Sequence, residues 1–191
     1  CSDYRMVYWL SKLLTEDRHR LFDLGGHIGV SYYGFRNYIT YPQSLQWHVH
    51  DVPAVVDAGR AWASQNDPDG MLNFADTPEA ASGHDVLISC GALQYLEYTL
   101  PELLASLPNP PDHVLVNRTP MHPKRGYVTL QKIGIAVLPY RVMAKPEFVD
   151  AMGALGYEVM DHWMSKERHL EVPFEPECTI DHYSGYYFKR A

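Results

Sequence analysis

The stretch Arg20-Leu21-Phe22-Asp23-Leu24-Gly25-Gly26-His27-Ile28-Gly29 decides the fold that this chain of 191 residues is expected to take. Its apolar run, Leu21, Phe22 and Leu24, is typical of a strand covered on both faces, as in parallel sheets. The glycines predict a tight turn, because residues without a Cβ let the backbone turn sharply and approach a ligand closely. A helix from Ser31 to Ile39 is expected next, and the unpaired N–H groups of its first turn suit an anionic or polar cofactor.

The spacing of the glycines separates two classes of cofactor. A dinucleotide-binding G-x-G-x-x-G pattern would need its first glycine at position 24, where the chain has Leu24. The pattern D-x-G-x-x-x-G, made by Asp23, Gly25 and Gly29, instead resembles the first motif of class I S-adenosylmethionine (SAM) methyltransferases. His27 stands where that family has its middle glycine. Asp23 would accept a hydrogen bond from a cationic or hydroxylic part of the cofactor.

An acid also ends the second predicted strand, Leu45 to Val52. Asp51 follows Gly29 by 22 residues, close to the roughly 20 that separate a glycine turn from a ribose-binding acid. A carboxylate can accept hydrogen bonds from both ribose hydroxyls, so Asp51 is predicted to bind a ribose. The alternative is that Asp51 caps the next helix, which Pro53 is suited to begin.

A later stretch makes the resemblance more specific. The run Asp85-Val86-Leu87-Ile88-Ser89-Cys90-Gly91-Ala92-Leu93-Gln94-Tyr95-Leu96-Glu97 resembles the fourth motif of class I methyltransferases, an Asp-led apolar strand followed by small residues beneath the cofactor's methionine. With Asn117 to Pro120, Leu138 to Val142 and Tyr183 to Phe188, it is similar to a bacterial family of SAM-dependent methyltransferases. That family often accompanies surface-polysaccharide biosynthesis genes, and the resemblance covers Phe22 to the C-terminus.

The resemblance implies an α/β fold of the Rossmann-like class I methyltransferase type. Its sheet would have about seven mostly parallel strands, an antiparallel last strand and helices on both faces. The residues agree independently, because Tyr157 to Met164 and Tyr183 to Lys189 are predicted strands joined by a loop too short for a crossover helix, and therefore antiparallel. A helix is expected from Pro146 to Leu155, with Gly156 ending it.

A single domain, 1–191, is expected from the length of the chain. Its N-terminal segment, 1–19, is predicted to be helical, with a helix from Tyr4 to Leu14 packed on the edge of the sheet. A fifth strand is predicted from His113 to Val116, and an insert, 118–142, follows it.

SAM is the cofactor that the resemblance implies, and its contacts would come from strand ends along one edge of the sheet. Asp76, after the third strand, either contacts the adenine amino group or caps the turn at Thr77 and Pro78. The residues expected to bind the cofactor are Asp23, Gly25, Gly26, His27, Gly29, Asp51, Val52, Asp76, Ser89, Gly91 and Gln94.

The insert 118–142 fits no simple βα unit. It lies at the carboxyl edge of the sheet, where open α/β sheets bind ligands, and long inserts are often functional lids. The acceptor site is therefore predicted here, with a contact between two copies of the chain or an ordinary β-hairpin as alternatives. The candidate substrate-binding residues are Asn117 and Arg141, and the candidate catalytic residues are His122, Tyr140 and Arg118.

Methyl transfer to a hydroxyl needs a base, which His122 or His27 would supply near neutral pH. An arginine such as Arg118 or Arg141 would hold a carboxylate or phosphate of the acceptor. Such residues suit a small molecule, a sugar or a nucleotide-sugar, and the family context favours O-methylation of a saccharide.

The composition narrows the setting in which the chain works. Its 46% hydrophobic and 20% charged residues are those of an ordinary globular protein, and its net charge of −7 argues against a nucleic-acid binder. No stretch approaches the roughly 20 apolar residues of a membrane span. The three cysteines, Cys1, Cys90 and Cys178, lack metal spacing and indicate a reduced, cytoplasmic protein without a metal site. The chain starts at Cys1 rather than at a methionine, which leaves open a preceding segment with substrate contacts.

Three functions remain open at this point. An active SAM methyltransferase is favoured by the Asp23 turn, Asp51 and the fourth-strand motif together. A nicotinamide-dependent oxidoreductase is opposed by Leu24 and by the lack of a Tyr-x-x-x-Lys pair. A binding or scaffold protein on a methyltransferase fold stays open because the side chain of His27 would crowd the cofactor, unless it stacks on it or bonds to it.

Overall fold

The computed structural model of the chain describes residues 3–191, so Cys1 lies outside the described residues. The strands are β1 (Arg20–Leu24), β2 (Gln46–His50), β3 (Leu72–Ala75), β4 (Val86–Cys90), β5 (His113–Thr119), β6 (Met121–His122), β7 (Tyr127–Ile133), β8 (Ala136–Ala144), β9 (Tyr157–Ser165) and β10 (Tyr183–Arg190). The helices are α1 (Asp3–Thr15), α2 (Val30–Phe35), α3 (Pro53–Asn66), α4 (Leu100–Ser106) and α5 (Lys145–Ala154), with short 3-10 turns at Pro78–Ala81, Leu93–Tyr95 and Pro176–Cys178.

Seven strands form one sheet in the order β3-β2-β1-β4-β5-β10-β9. Neighbouring strands from β3 to β5 are parallel, whereas β10 runs antiparallel to both β5 and β9. The sheet therefore has the predicted architecture, in which only the last strand is reversed. From β1, the chain adds β2 and β3 on one side and β4 and β5 on the other, so the strand order reverses between β1 and β4. In open α/β sheets, a crevice forms at such a point, at the carboxyl ends of the strands.

The helices cover both faces of the sheet, as predicted. On one face, α1, α2 and α3 share an apolar cluster with inward side chains of the central strands. On the other face, α4 and α5 pack in a second cluster that contains Phe22, Leu87 and Phe188. Because both faces of the sheet are covered by helices, β1 and β4 have nearly continuous apolar sequences.

The first helix, α1, lies in a different position from the one predicted from the sequence. Rather than lying on the edge of the sheet, α1 packs across its face, where Leu10 and Leu13 share a cluster with Leu21 of β1 and Leu115 of β5. The physical reason is that four buried side chains along one stripe of α1 need a broad apolar surface, which the face of the sheet provides from the central strands to Trp163 of β9. The Trp9 indole also donates a hydrogen bond to Asp161 Oδ2 at 2.7 Å, which ties α1 to β9.

The helix after the glycine turn is shorter than predicted. It ends at Phe35 instead of Ile39, because the amide of Asn37 donates to the carbonyl of Gly34 at 3.1 Å. Side-chain bonds of this kind compete with the backbone bonds that would continue a helix.

The insert is built as a β-hairpin on an extended β5, which runs three residues beyond the predicted Val116. Strands β7 and β8 are antiparallel, with Ile133 opposite Ala136 across a turn at Gly134 and Ile135. Strand β6 adds to β8 in parallel, so that a small second sheet has the order β6-β8-β7. Within residues 3–191, no helix has both the length and the apolar character needed to cross a membrane.

Candidate active site

A cavity of about 640 Å³ opens at the carboxyl edge of the large sheet. Its walls are the turn after β1, the junction between β2 and α3, and the segment 91–98 that follows β4. This place coincides with the crevice where the strand order turns, the usual ligand site of open α/β sheets. Of the residues predicted to bind a cofactor, five line this cavity, namely Gly25, His27, Asp51, Val52 and Gly91.

The glycine turn approaches the opposite wall so closely that a side chain does not fit. Gly25 has a left-handed φ of 73°, and a Cβ placed on it would lie 2.1 Å from the Cβ of Ala92. His27 also has a positive φ, 55°, a conformation in which histidine is enriched several-fold. Its exposed side chain lines the cavity, and the cavity stays open beside it.

Asp51 joins the glycine turn to the start of α3. The backbone N–H of His27 donates to Asp51 Oδ2 at 2.9 Å, and that of Val52 donates to Oδ1 at 2.8 Å. The N-cap residue of α3 is Val52, and Pro53 opens the helix as predicted. Asp51 is therefore oriented by two backbone bonds, and a carboxylate with about four lone-pair sites can accept further hydrogen bonds from a ligand.

Asp23 lies behind the turn, fully buried at the end of β1. The indole of Trp47 donates to Oδ2 at 3.3 Å, whereas Oδ1 has no partner among residues 3–191. Burial raises the pKa of Asp23 to about 7, the Trp47 hydrogen bond acts against this, and the charge of Asp51 adds to it. A carboxyl held in this way is a candidate to meet a cationic group of a ligand.

Among the other buried polar atoms that lack partners in the described part of the chain, two lie near Gly91. They are Oε1 of Gln94 and Nε of Arg118. A Cβ on Gly91 would lie 3.6 Å from the Cβ of Arg118 and 4.0 Å from Nε2 of Gln94. Together with Asp23 Oδ1, they give two unpaired acceptors and one unpaired donor near the carboxyl ends of the neighbouring strands β1, β4 and β5. Such groups are costly unless a ligand or water pairs them.

Other residues predicted to bind the cofactor lie beside the cavity and contact the glycine turn and the segment after β4. The hydroxyl of Ser89 donates to the carbonyl of Leu24 at 2.9 Å and is fully buried. Gly26 packs on the carboxyl of Asp23, to which an added Cβ would come within 2.5 Å. Gly29 closes the turn with a bond from its N–H to the carbonyl of Gly26, and Gln94 Nε2 donates to the carbonyl of Gly91.

Asp76 lies apart from this site. Its carboxylate is exposed, accepts from Arg60 Nη2 at 2.8 Å and is not part of the cavity lining. The N-cap position of the following 3-10 turn is Thr77, without a side-chain cap. The structure thus pairs Asp76 with α3, because the guanidinium of Arg60 reaches back along the helix to the end of β3.

His122 was predicted as a base, and its surroundings contradict that role. The N–H groups of Lys124 and Arg125 donate to Nδ1 at 3.2 and 3.1 Å, and Nε2 donates to the carbonyl of Glu177 at 3.0 Å. With both ring nitrogens bonded to backbone, His122 has neither a lone pair for a substrate proton nor a place in the cavity lining.

Tyr140 is also a poor candidate for catalysis. Its hydroxyl is buried and bonded to that of Tyr183 at 2.8 Å. Burial and the Tyr183 hydroxyl raise the pKa of Tyr140 far above its usual range, so the tyrosinate is out of reach at neutral pH. The ring packs edge-on against Tyr95 and helps to hold β8 near the segment 91–98.

The remaining acceptor candidates hold parts of the protein together. Asn117 is fully buried, accepts from the Trp163 indole at 2.9 Å and donates to Asp3 at 3.1 Å. Arg118 Nη2 donates to the same Asp3 at 2.5 Å, so the start of α1 is fixed over the end of β5. Arg141 donates to the carbonyls of Tyr98 and Glu97, at 3.0 and 3.1 Å.

Sequence reasoning missed the wall formed by Tyr95, Leu96, Glu97 and Tyr98, as well as His50 of β2. The signal for the wall was present, because Tyr95, Leu96 and Glu97 are the last three residues of the fourth-strand motif and Tyr98 follows it. The prediction stopped at Gln94 because the position of a loop depends on contacts with the hairpin.

A scan against protein-family models gives no match. A search of the curated proteins gives none either. Among solved structures, the chain is similar to the glycopeptide N-methyltransferase MtfA complexed with sinefungin, with a TM-score of 0.69, 11% identity and coverage of 100% of this chain and 93% of MtfA. It is also similar to the magnesium protoporphyrin IX methyltransferase of Synechocystis PCC 6803 with bound SAH, with a TM-score of 0.61, 11% identity and coverage of 100% and 84%. A third similar structure is the CcbJ methyltransferase of Streptomyces caelestis, with a TM-score of 0.61, 12% identity and coverage of 97% of this chain and 88% of CcbJ. The chain therefore has the class I SAM-dependent methyltransferase fold.

Proposed function

We propose that this protein is a SAM-dependent methyltransferase that acts on a small-molecule acceptor. The observation that carries the proposal is that the unpaired hydrogen-bonding groups of the site are complementary to those of the cofactor. The methionine part of SAM brings an ammonium donor and a carboxylate acceptor. Near the carboxyl ends of β1, β4 and β5, the protein has the unpaired acceptors Asp23 Oδ1 and Gln94 Oε1 and the unpaired donor Arg118 Nε.

Asp51 would bind the ribose hydroxyls, since its carboxylate lines the cavity and is already oriented by two backbone N–H groups. Because a Cβ on Gly25 would collide with Ala92, the turn has no side chain at this position, and the cofactor would meet bare backbone there. When bound, SAM supplies a sulfonium methyl group as the electrophile, so the protein contributes chiefly position and exclusion of water. The neighbours of this fold include proteins crystallised with SAH and with sinefungin, which supports the same cofactor here.

The narrower form of this proposal, O-methylation of a saccharide, is supported by the family resemblance in the sequence alone. A hydroxyl acceptor would need a base. His27 is a histidine that faces the cavity with an exposed ring, whereas His122 is fully bonded elsewhere.

Calorimetric titration with SAM, S-adenosylhomocysteine (SAH) and NADH tests the cofactor. We expect micromolar binding of SAM and SAH, and a loss of roughly ten- to hundredfold in SAH affinity for Asp51→Asn, because one charged hydrogen-bond acceptor is worth about 1.5–3 kcal/mol. Asp57→Asn is the matched control, since Asp57 is an exposed carboxylate on α3 that pairs with Arg60.

The outcomes separate the open alternatives. Binding of NADH in preference to SAH would establish the oxidoreductase instead. Binding of none of the three ligands would leave the scaffold function on a methyltransferase fold.

A further inference from the structure

A cleft of about 280 Å³ adjoins the cofactor cavity and is bounded on its far side by the hairpin. Three residues, Tyr95, Leu96 and Glu97, line both the cavity and the cleft. The hairpin contributes Val128 from β7 and Leu138 from β8, with Pro139 and Arg141 beside them. A molecule in this cleft would therefore meet the cavity along one shared wall.

Most of the cleft's polar groups are already bonded within the protein. The guanidinium of Arg141 donates to the carbonyls of Tyr98 and Glu97. The hydroxyl of Tyr95 donates to Gln131 Oε1 at 2.6 Å, and Gln94 Nε2 donates to the carbonyl of Gly91 at 2.7 Å. A polyhydroxylated acceptor placed here would lose hydrogen bonds to water and find few in return, which costs about 1–3 kcal/mol for each buried group.

Apolar side chains on the hairpin face the same cleft and are open to solvent. Val128 is 63% exposed and Leu138 is 38% exposed, and they stand opposite Tyr95 and Leu96. Neighbouring apolar groups left open in this way are stabilised when an apolar body covers them. The cleft thus favours an aromatic or aliphatic acceptor body.

One charged group stands out on the shared wall. Glu97 is exposed, lines both the cavity and the cleft, and its carboxylate has no hydrogen-bond or ion-pair partner within the described residues 3–191. An unpaired carboxylate beside apolar walls is complementary to a compact cation, as an amine is at neutral pH.

We propose that this cleft is the acceptor site and that it takes an apolar or aromatic amine, with the ring in the cleft and the nitrogen at Glu97. This inference rests on the proposed function. The bound ammonium first loses a proton to the Glu97 carboxylate, which passes it to water. The lone pair that this frees on nitrogen then forms the bond to the methyl carbon of SAM, and the carbon–sulfur bond breaks with its electron pair left on sulfur.

The test uses the full chain saturated with SAH and three small probes. Phenethylamine is compared with phenethyl alcohol, which has the same body without the amine, and with methyl glucoside. We expect phenethylamine to bind at least tenfold more tightly than either. The same order is expected for the acceptance of label from methyl-labelled SAM.

Two variants locate the site. Glu97→Gln is expected to reduce the preference for amine over alcohol to near one. Val128→Lys is expected to weaken phenethylamine binding at least tenfold, because it places a like charge and extra bulk in the cleft. Ile135→Lys is the matched control, since Ile135 lies at the fully exposed tip of the same hairpin and outside the cleft, and it is expected to change nothing.

The possible failures are distinguishable. SAH binding with an equal or greater preference for the alcohol or the glucoside would overturn the amine proposal and leave the methyltransferase intact. Equal loss of phenethylamine affinity in Val128→Lys and Ile135→Lys would place its binding outside the cleft. Absence of SAH binding in the parent protein would overturn the proposed function, and the acceptor proposal with it.

Discussion

Asp23 combines two properties that rarely occur together, a carboxyl group and complete burial. The fold provides one hydrogen bond to it, from Trp47, and leaves the other oxygen without a partner within residues 3–191. Burial therefore favours the neutral acid and raises its pKa to about 7. In the unfolded chain the same carboxyl would ionise near pH 4.

This difference predicts a pH dependence of stability. Because the pKa of Asp23 is higher in the folded state, its contribution to stability is fully present below about pH 4 and is lost as the pH rises through 7. Relative to Asp23→Asn, the parent protein is expected to lose about 4 kcal/mol in free energy of unfolding between pH 4 and pH 8, since each unit of pKa is worth 1.36 kcal/mol. Urea titrations of both proteins across that range measure it. A difference that stays constant with pH would mean that Asp23 titrates like an exposed carboxyl.

At the scale of the element, the hairpin β7–β8 is held at its base by a histidine as well as by an apolar cluster that includes Tyr140 and Val142. His122 accepts two backbone N–H groups on one nitrogen and donates to Glu177 with the other. Tyr127 donates to the carbonyl of Cys178 on the same side. These bonds tie the start of the hairpin to the loop before β10.

His122→Ala is therefore expected to act on stability. It leaves two backbone N–H groups and one carbonyl without partners, at a cost of about 1–3 kcal/mol in the free energy of unfolding. His169→Ala, at an exposed histidine, is expected to stay within about 0.5 kcal/mol of the parent. Thermal or urea unfolding gives both values. Full stability together with loss of methyl transfer in His122→Ala would restore the catalytic role that the sequence indicated.

At the scale of the whole molecule, α1 is a part of the core and not an appendage. Met6, Leu10, Leu13 and Leu14 are buried against strands of the large sheet. Its first residue, Asp3, bonds to side chains at the end of β5, so α1 reaches the carboxyl edge that carries the site.

Truncation of α1 side chains tests this integration. Leu10→Ala is expected to lower the free energy of unfolding by about 3 kcal/mol, since it removes a fully buried side chain and leaves a cavity. Tyr8→Ala, on the exposed side of the same helix, is expected to cost less than about 1 kcal/mol. Equal effects of the two substitutions, measured by urea unfolding, would contradict the packing of α1 on the face of the sheet.

Much of the fold could be predicted because patterns of a few neighbouring residues identify its strands and turns. The apolar run before Gly25, the acid after β2 and the apolar run after Asp85 each identify a strand and its carboxyl end. Their shared edge follows from the parallel topology. The five cavity-lining residues that were predicted come from these strand ends.

The predictions that were wrong or incomplete depend on partners far away in the sequence. His122 looked like a base because its type and position fit, yet its bond to Glu177 spans 55 residues. Glu97 and Tyr95 were passed over because the cleft they share with Val128 exists only once the hairpin folds back.

The sequence by itself determined the class of fold, the glycine turn and the acid at the end of β2, because helix and strand periodicities and turn residues act over a few neighbouring positions. Only the tertiary structure decided which polar groups are already bonded and which are left for a ligand. That distinction depends on contacts such as Gly25 with Ala92 and Arg141 with Glu97, between segments that the chain brings together only when the sheet and hairpin are packed.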